Sequence, residues 1–208
     1  MSFKTFFSEQ ARKPSGLFGR VVMSKVFDLG NATLNDFMKQ QIEIEENDHL
    51  LEIGFGTGKL LNEMAKLIDN GLIEGIDVSE TMVRIAKRKN KKIISQGKII
   101  IKHGDFEKES YDDKSFTKIC SVNTIYFWSE PNLIIRKIFN ILKPGGKLIF
   151  AFEDKEQIVN RALDFDIFHV YSENEIKELL KLNGFSRKIY VRSKWLKSKK
   201  FHCCIAVK

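Results

Sequence analysis

His49-Leu50-Leu51-Glu52-Ile53-Gly54-Phe55-Gly56-Thr57-Gly58 is the stretch that decides the fold of this chain. Its first half is a short apolar run of the kind that forms a buried strand, and its second half is a glycine turn. Leu60, Leu61, Met64, Ala65 and Ile68 then recur at helical spacing, closing at Asn70-Gly71. A strand, a tight loop and a helix in that order begin a parallel strand-helix-strand unit.

The glycine spacing excludes two familiar phosphate sites. A dinucleotide fingerprint needs its third small residue one place further on, where Lys59 stands. A P-loop needs a glycine in place of Ile53 and a hydroxyl in place of Leu60. Glu52 adds an electrostatic constraint. A carboxylate two residues before the first glycine repels a pyrophosphate but suits a ligand carrying ammonium and sulfonium charges. The same carboxylate also serves, on another reading, to brace the loop by accepting backbone N–H groups.

The same alternation continues downstream. Leu72 to Val78 predicts a second strand, ending at Asp77, and Ser79 caps a helix carrying Met82, Val83, Ile85 and Ala86. Lys98 to Lys102 predicts a third strand, Lys118 to Val122 a fourth and Lys147 to Phe152 a fifth. A helix through Leu133, Ile134, Ile138 and Leu142 is stopped by Lys143-Pro144-Gly145-Gly146. A further helix spans about 173–182, and the segments 187–195 and 201–207 alternate apolar and polar residues as a closing antiparallel pair. The expected fold class is α/β: a Rossmann-like doubly wound sheet, mostly parallel with a C-terminal antiparallel strand pair, and helices on both faces. Ligands of such sheets bind at the carboxyl ends of the strands, where strand order reverses. An acid about twenty residues after the glycines, here Asp77, accepts hydrogen bonds from ribose hydroxyls in such sites.

Four segments now carry a resemblance. Leu51 to Gly58 resembles the first motif of class I S-adenosylmethionine (SAM)-dependent methyltransferases. Gly75-Ile76-Asp77-Val78-Ser79, with Met82 three on, resembles their second. His103-Gly104-Asp105-Phe106 resembles the segment bordering the adenine, and Ile141 to Leu148 the stretch entering the fifth strand. The resemblance covers about residues 48–207 and is strongest toward small-molecule methyltransferases related to ubiquinone and menaquinone biosynthesis enzymes. It implies SAM as cofactor. Gly54, Gly56 and Gly58 would pass under its methionine part, with Glu52 beside them, and Asn123 would contact the methionine end. Asp77 would hold the ribose diol, Met82 and Phe106 would sandwich the adenine, and Asp105 would accept from its amine.

The acceptor is expected beyond the fourth strand, where Tyr126, Phe127 and Trp128 follow Asn123; one of these aromatics is expected in the core and two in a pocket. Asn123-x-x-Tyr126 resembles the signature of amino methyltransferases but lacks both its prolines, replaced by Thr124 and Ile125. Candidate catalytic residues are Tyr126 and His169, the latter as a general base.

Bulk composition narrows the remaining choices. The 208 residues fit one domain, with 1–47 as an N-terminal helical cover over cofactor and acceptor and 48–208 as the SAM-binding core. No long apolar run signals a membrane span or a secretory leader. Cys120, Cys203 and Cys204 form no C-x-x-C pair, and read as reduced cysteines of a cytoplasmic protein that holds no metal. The net charge is +8, concentrated in 87–98 and 187–200. That basicity, with the aromatics of 187–201, keeps RNA or DNA as an alternative to a small-molecule partner. A SAM-binding protein without methyl transfer is the other alternative.

Overall fold

The computed structural model describes residues 2–186, 188–196 and 198–208. Arg187 and Lys197, both within the basic 187–200 segment, lie outside the described residues. Seven strands form one sheet: β1 (His49–Ile53), β2 (Leu72–Asp77), β3 (Ile99–His103), β4 (Phe116–Val122), β5 (Leu142–Glu153), β6 (Lys188–Leu196) and β7 (Lys199–Val207). Their spatial order is β3-β2-β1-β4-β5-β7-β6. The first five are parallel; β7 runs antiparallel to β5, and β6 antiparallel to β7. The expected sheet is present with its antiparallel pair.

Alternation along the strands builds two cores. Leu148, Phe150 and Phe152 of β5 face one side, with Ile134, Ile138, Ile176 and Leu180 of the helices Pro131–Ile141 and Glu173–Leu182. Ile149 and Ala151 face the other, with Leu34, Met38, Leu60, Leu61 and Val83 of the helices Ala32–Ile42, Lys59–Ala65 and Glu80–Lys89. Burying one such aliphatic side chain is worth about 1.5–3 kcal/mol, so these two layers hold the strand ends in register. The Glu173–Leu182 helix starts from a capping box in which Ser172 and Glu175 satisfy each other's backbone N–H groups.

Two boundaries differ most from the sequence reading. The helix after β1 ends at Ala65, and Ile68 is buried beyond it. The strand β5 begins at Leu142 and runs through the Pro144-Gly145-Gly146 segment, with Gly145 in the left-handed region, so the glycines bend the strand rather than only stopping the helix. Residues preceding β1 are helical over Phe3–Arg12, Gly16–Phe18, Ser24–Gly30 and Ala32–Ile42, with a π-helical turn at Gly19–Met23.

Candidate functional site

The carboxyl ends of β1, β2 and β4 meet at the glycine loop. Gly54 and Gly58 have φ of 72° and 73°, which only glycine adopts without strain. Both are also pressed by neighbours: a Cβ on Gly58 would lie 2.7 Å from Ala86 Cβ, and one on Gly54 would overlap the Thr124 side chain. The loop is therefore held against the segment after β4 on one side and the helix after β2 on the other.

Asp77 braces this loop from the end of β2. One carboxylate oxygen accepts the Gly56 N–H and the other accepts the Ser79 N–H, both at 2.8 Å. Burial pushes its carboxyl up to about 6, against the opposing pull of those two N–H bonds. Glu52, beneath the loop, is buried, and its Oε2 has no hydrogen-bond partner. Burial, and the charges of Asp77 and Glu63, push its carboxyl well above the usual range. Two buried acids facing one loop, one with an orphaned oxygen, make a site ready for a cation or for donated hydroxyls.

These residues open into a cavity of about 720 Å³. Glu52, Gly54, Gly56 and Asp77 line its one side; Asp105, Phe106, Asn123 and Tyr126 line it further along. Gly58, Met82 and His169 are not among the cavity-lining residues. Gly58 packs on Ala86 and Asn90, and Met82 is fully buried in the helix capped by Ser79. The side chain of His169 is exposed; only its backbone N–H touches the site, donating to the Tyr126 carbonyl at 2.9 Å. The structure therefore does not bring the His169 ring to the expected chemistry.

Asn123 sits at φ 55°, which asparagine tolerates better than most residues. Its amide donates to Asn31 Oδ1 at 3.0 Å, and its own oxygen accepts from the Tyr126 hydroxyl at 3.2 Å. The Tyr126 oxygen in turn accepts the Glu153 N–H at 2.6 Å. Burial pushes the Tyr126 phenol far up. Tyr126 is thus a buried brace between β4 and β5 whose hydroxyl is already occupied. Tyr126 and Trp128 are buried and Phe127 is half-buried, yet all three line the cavity, so lining and core are not separate roles here. Phe127 packs edge-on against Phe168 with centroids 4.6 Å apart. Glu153 and Arg161 form an ion pair at the same lobe.

Sequence reasoning expected residues 1–47 to cover the site but named none of the contacts by which they reach it. Phe27 lies over Gly56, and Asp28 accepts from the Thr57 hydroxyl and pairs with Lys89 at 2.7 Å. Ser79 donates to the Pro14 carbonyl. Three loops of the site are thus tied to residues 14–31. The unpaired apolar side chains of that segment were the available signal; which loop each would meet was not readable. Glu153 and Arg161 gave no signal, because they become neighbours only once β5 and the segment after it are folded.

Residues 51–150 match the family model described as a methyltransferase domain. Among curated proteins, the chain is similar to the uncharacterized methyltransferase YdaC of Bacillus subtilis, 34% identical over 126 residues, which cover 61% of this chain and 67% of that one. It is also similar to the ubiquinone biosynthesis O-methyltransferase of Coxiella burnetii, 28% identical over 61% of this chain and 52% of that one. The matched part of the chain thus spans between about half and two thirds of these relatives' own length. A SAM-dependent methyltransferase from Aquifex aeolicus superposes with a TM-score of 0.72 at 23% identity, covering 89% of this chain and 96% of that one, which shows a shared fold.

Proposed function

The chain belongs to the class I SAM-dependent methyltransferases, and on that premise we propose that it methylates a small apolar or aromatic acceptor held beside Phe127 and Phe168. One observation carries the reading: a single cavity joins the Asp77 and Glu52 carboxylates to this aromatic lobe.

The residues present fit the cofactor. The orphaned Glu52 oxygen suits an ammonium or sulfonium charge, and Asp77 keeps lone pairs for ribose hydroxyls beside its two backbone bonds. Phe106 would flank the adenine, Asp105 would accept from its amine, and Asn123 would stand at the methionine end. Bound there, SAM supplies an activated methyl group on a sulfonium. The chain's own work is to position. The Phe127–Phe168 pair and Trp128 exclude water and orient the acceptor, and holding reactants at about 3–3.5 Å in line supplies much of the rate. Tyr126 fixes Asn123 and the end of β5. For an acceptor that keeps its proton at neutral pH, Glu153 is the carboxylate the lobe offers, oriented by Arg161.

The buried, free cysteines Cys120, Cys203 and Cys204 fit a cytoplasmic location. Among the described residues no helix is long and apolar enough to cross a membrane. A nucleic-acid acceptor has one supporting observation, the exposed Trp195 beside Lys194 on the edge strand β6.

Incubation with methyl-labelled SAM and cell extract, fractionated into metabolites, lipids and RNA, tests the reading. Label in a small-molecule or lipid fraction is expected. Label confined to RNA favours the nucleic-acid reading, and tight SAM binding with no transfer in any fraction favours a non-transferring binder.

A further inference from the structure

Residues 16–30 form one unbroken helical run, through the π turn at Gly19–Met23. Its inward side is accounted for. Gly19 and Met23 are buried, and Met23 and Phe27 line the cavity. Its outward side is the reverse of an ordinary surface helix. Leu17 and Leu29 are 73% and 78% exposed, and Val21 and Val22 are exposed between them. The wider π turn presents the adjacent Val21 and Val22 together. Four aliphatic side chains on one outer face are not covered by any described element, although ordinary surface helices place polar residues there.

The charges flanking this face have one sign. Residues 16–30 carry Arg20 and Lys25, both exposed, against Asp28 alone; residues 2–15 before them add the exposed Lys4 and Lys13, with Arg12 lining the cavity, against Glu9. Asp28 is turned inward, bound by Thr57 and Lys89. A second copy of this chain would bring the same positive charge against it and be repelled. An anionic bilayer surface matches both features: it accepts aliphatic side chains at the boundary of its headgroups and attracts lysine and arginine around them.

We propose that the outer face of residues 16–30 docks on an anionic lipid surface. The docked helix is the one that lines the cavity through Met23 and Phe27, so docking sets the cavity beside the bilayer. The proposal does not rest on the acceptor reading, because the face lies outside the cavity and is read from its own exposure and charge.

The test is co-sedimentation of the full chain with vesicles of phosphatidylcholine alone and with phosphatidylglycerol added. The wild-type chain is expected to sediment with the anionic vesicles, several-fold more weakly with the neutral ones, and to be released by salt. The double variant Leu17→Glu/Leu29→Glu should lose about tenfold or more of this binding, as two aliphatic anchors become charges of the lipid's own sign. Both positions are exposed and outside the cavity, so its affinity for S-adenosylhomocysteine should be unchanged, which verifies the fold. The proposal is overturned if the wild-type chain stays in solution with anionic vesicles, or if the variant binds them as well as the wild type. It is also overturned if the face instead mediates a dimer, or RNA binding, that the same variant abolishes. None of these outcomes alters the cofactor reading, which is tested by S-adenosylhomocysteine affinity alone.

Discussion

The carboxylate of Asp77 and the backbone N–H of Gly56 are joined by a 2.8 Å hydrogen bond across the mouth of the sheet. One residue ends β2 and the other is the central glycine after β1, so this single bond sets the shape of the loop before any ligand arrives. The same carboxylate is the expected partner of ribose hydroxyls. On the proposed function, loop shape and cofactor affinity share one side chain.

Asp77→Ala removes both roles. Its SAM affinity should fall by about 2–3 kcal/mol, or roughly 30- to 150-fold, the scale of charged hydrogen bonds lost to two hydroxyls. The two backbone donors at Gly56 and Ser79 also lose their acceptor, while a buried charge is removed, so the melting temperature should move little. Calorimetry with S-adenosylhomocysteine and a melting curve check both. Unchanged affinity in a folded variant would take Asp77 off the ribose.

The raised carboxyls of Asp77 and Glu52 predict a pH dependence of definite sign. Asp77 titrates near 6 when folded, against 3.8 in its unperturbed state. The folded protein thus binds more protons than the unfolded chain between these values, and its stability falls as pH rises through about 6. A cationic cofactor that meets ionised carboxylates reverses the preference on binding. SAM affinity should therefore strengthen from pH 5 to about 7.5, with protons released, and calorimetry in buffers of different ionisation heat measures that release. Affinity that is flat over this range would separate the cofactor from both acids.

The β1 strand, the glycine loop and Asp77 were legible because each is written in consecutive residues: an apolar run, a turn, an acid at a strand end. The individual contacts of the N-terminal half of the cavity were not. Phe27, Asp28 and Asn31 meet Gly56, Thr57 and Asn123 only through tertiary packing, and no local period encodes which loop a helix covers. Met82 shows the opposite case. Its motif position pointed to the adenine, while the helix it sits on turns it into the interior, away from the cavity lining. His169 was singled out by residue type and position alone, and backbone geometry leaves its ring in solvent.

His169→Ala is accordingly expected to keep methyl transfer within about twofold of wild type, since the ring lies outside the cavity lining. Tyr126→Phe should behave differently. It leaves the half-buried Glu153 N–H without its acceptor, at a cost of about 1 kcal/mol in stability. Turnover and thermal unfolding of the two variants, compared side by side, distinguish a base from a brace. A His169→Ala protein that binds SAM normally but does not turn over would restore the histidine to the chemistry.

Asp28 ties the N-terminal segment to the glycine loop. Asp28→Ala frees the Thr57 hydroxyl and Lys89. The pair with Lys89 is partly exposed, so global stability should change by no more than about 1 kcal/mol. If residues 1–47 act as a cover that opens and closes, limited proteolysis within them should quicken in this variant, and S-adenosylhomocysteine should slow it again. Proteolysis unchanged from wild type would make this segment a static packing element.

The most direct measurement is a calorimetric titration of the purified chain with S-adenosylhomocysteine and, separately, with NAD. Glu52 beneath the loop suits a cationic methionine moiety, and Lys59 in place of a third small residue breaks the dinucleotide fingerprint. Saturable binding of S-adenosylhomocysteine at one site per chain is expected, with no heat from NAD. Tight NAD binding with no response to S-adenosylhomocysteine would contradict it.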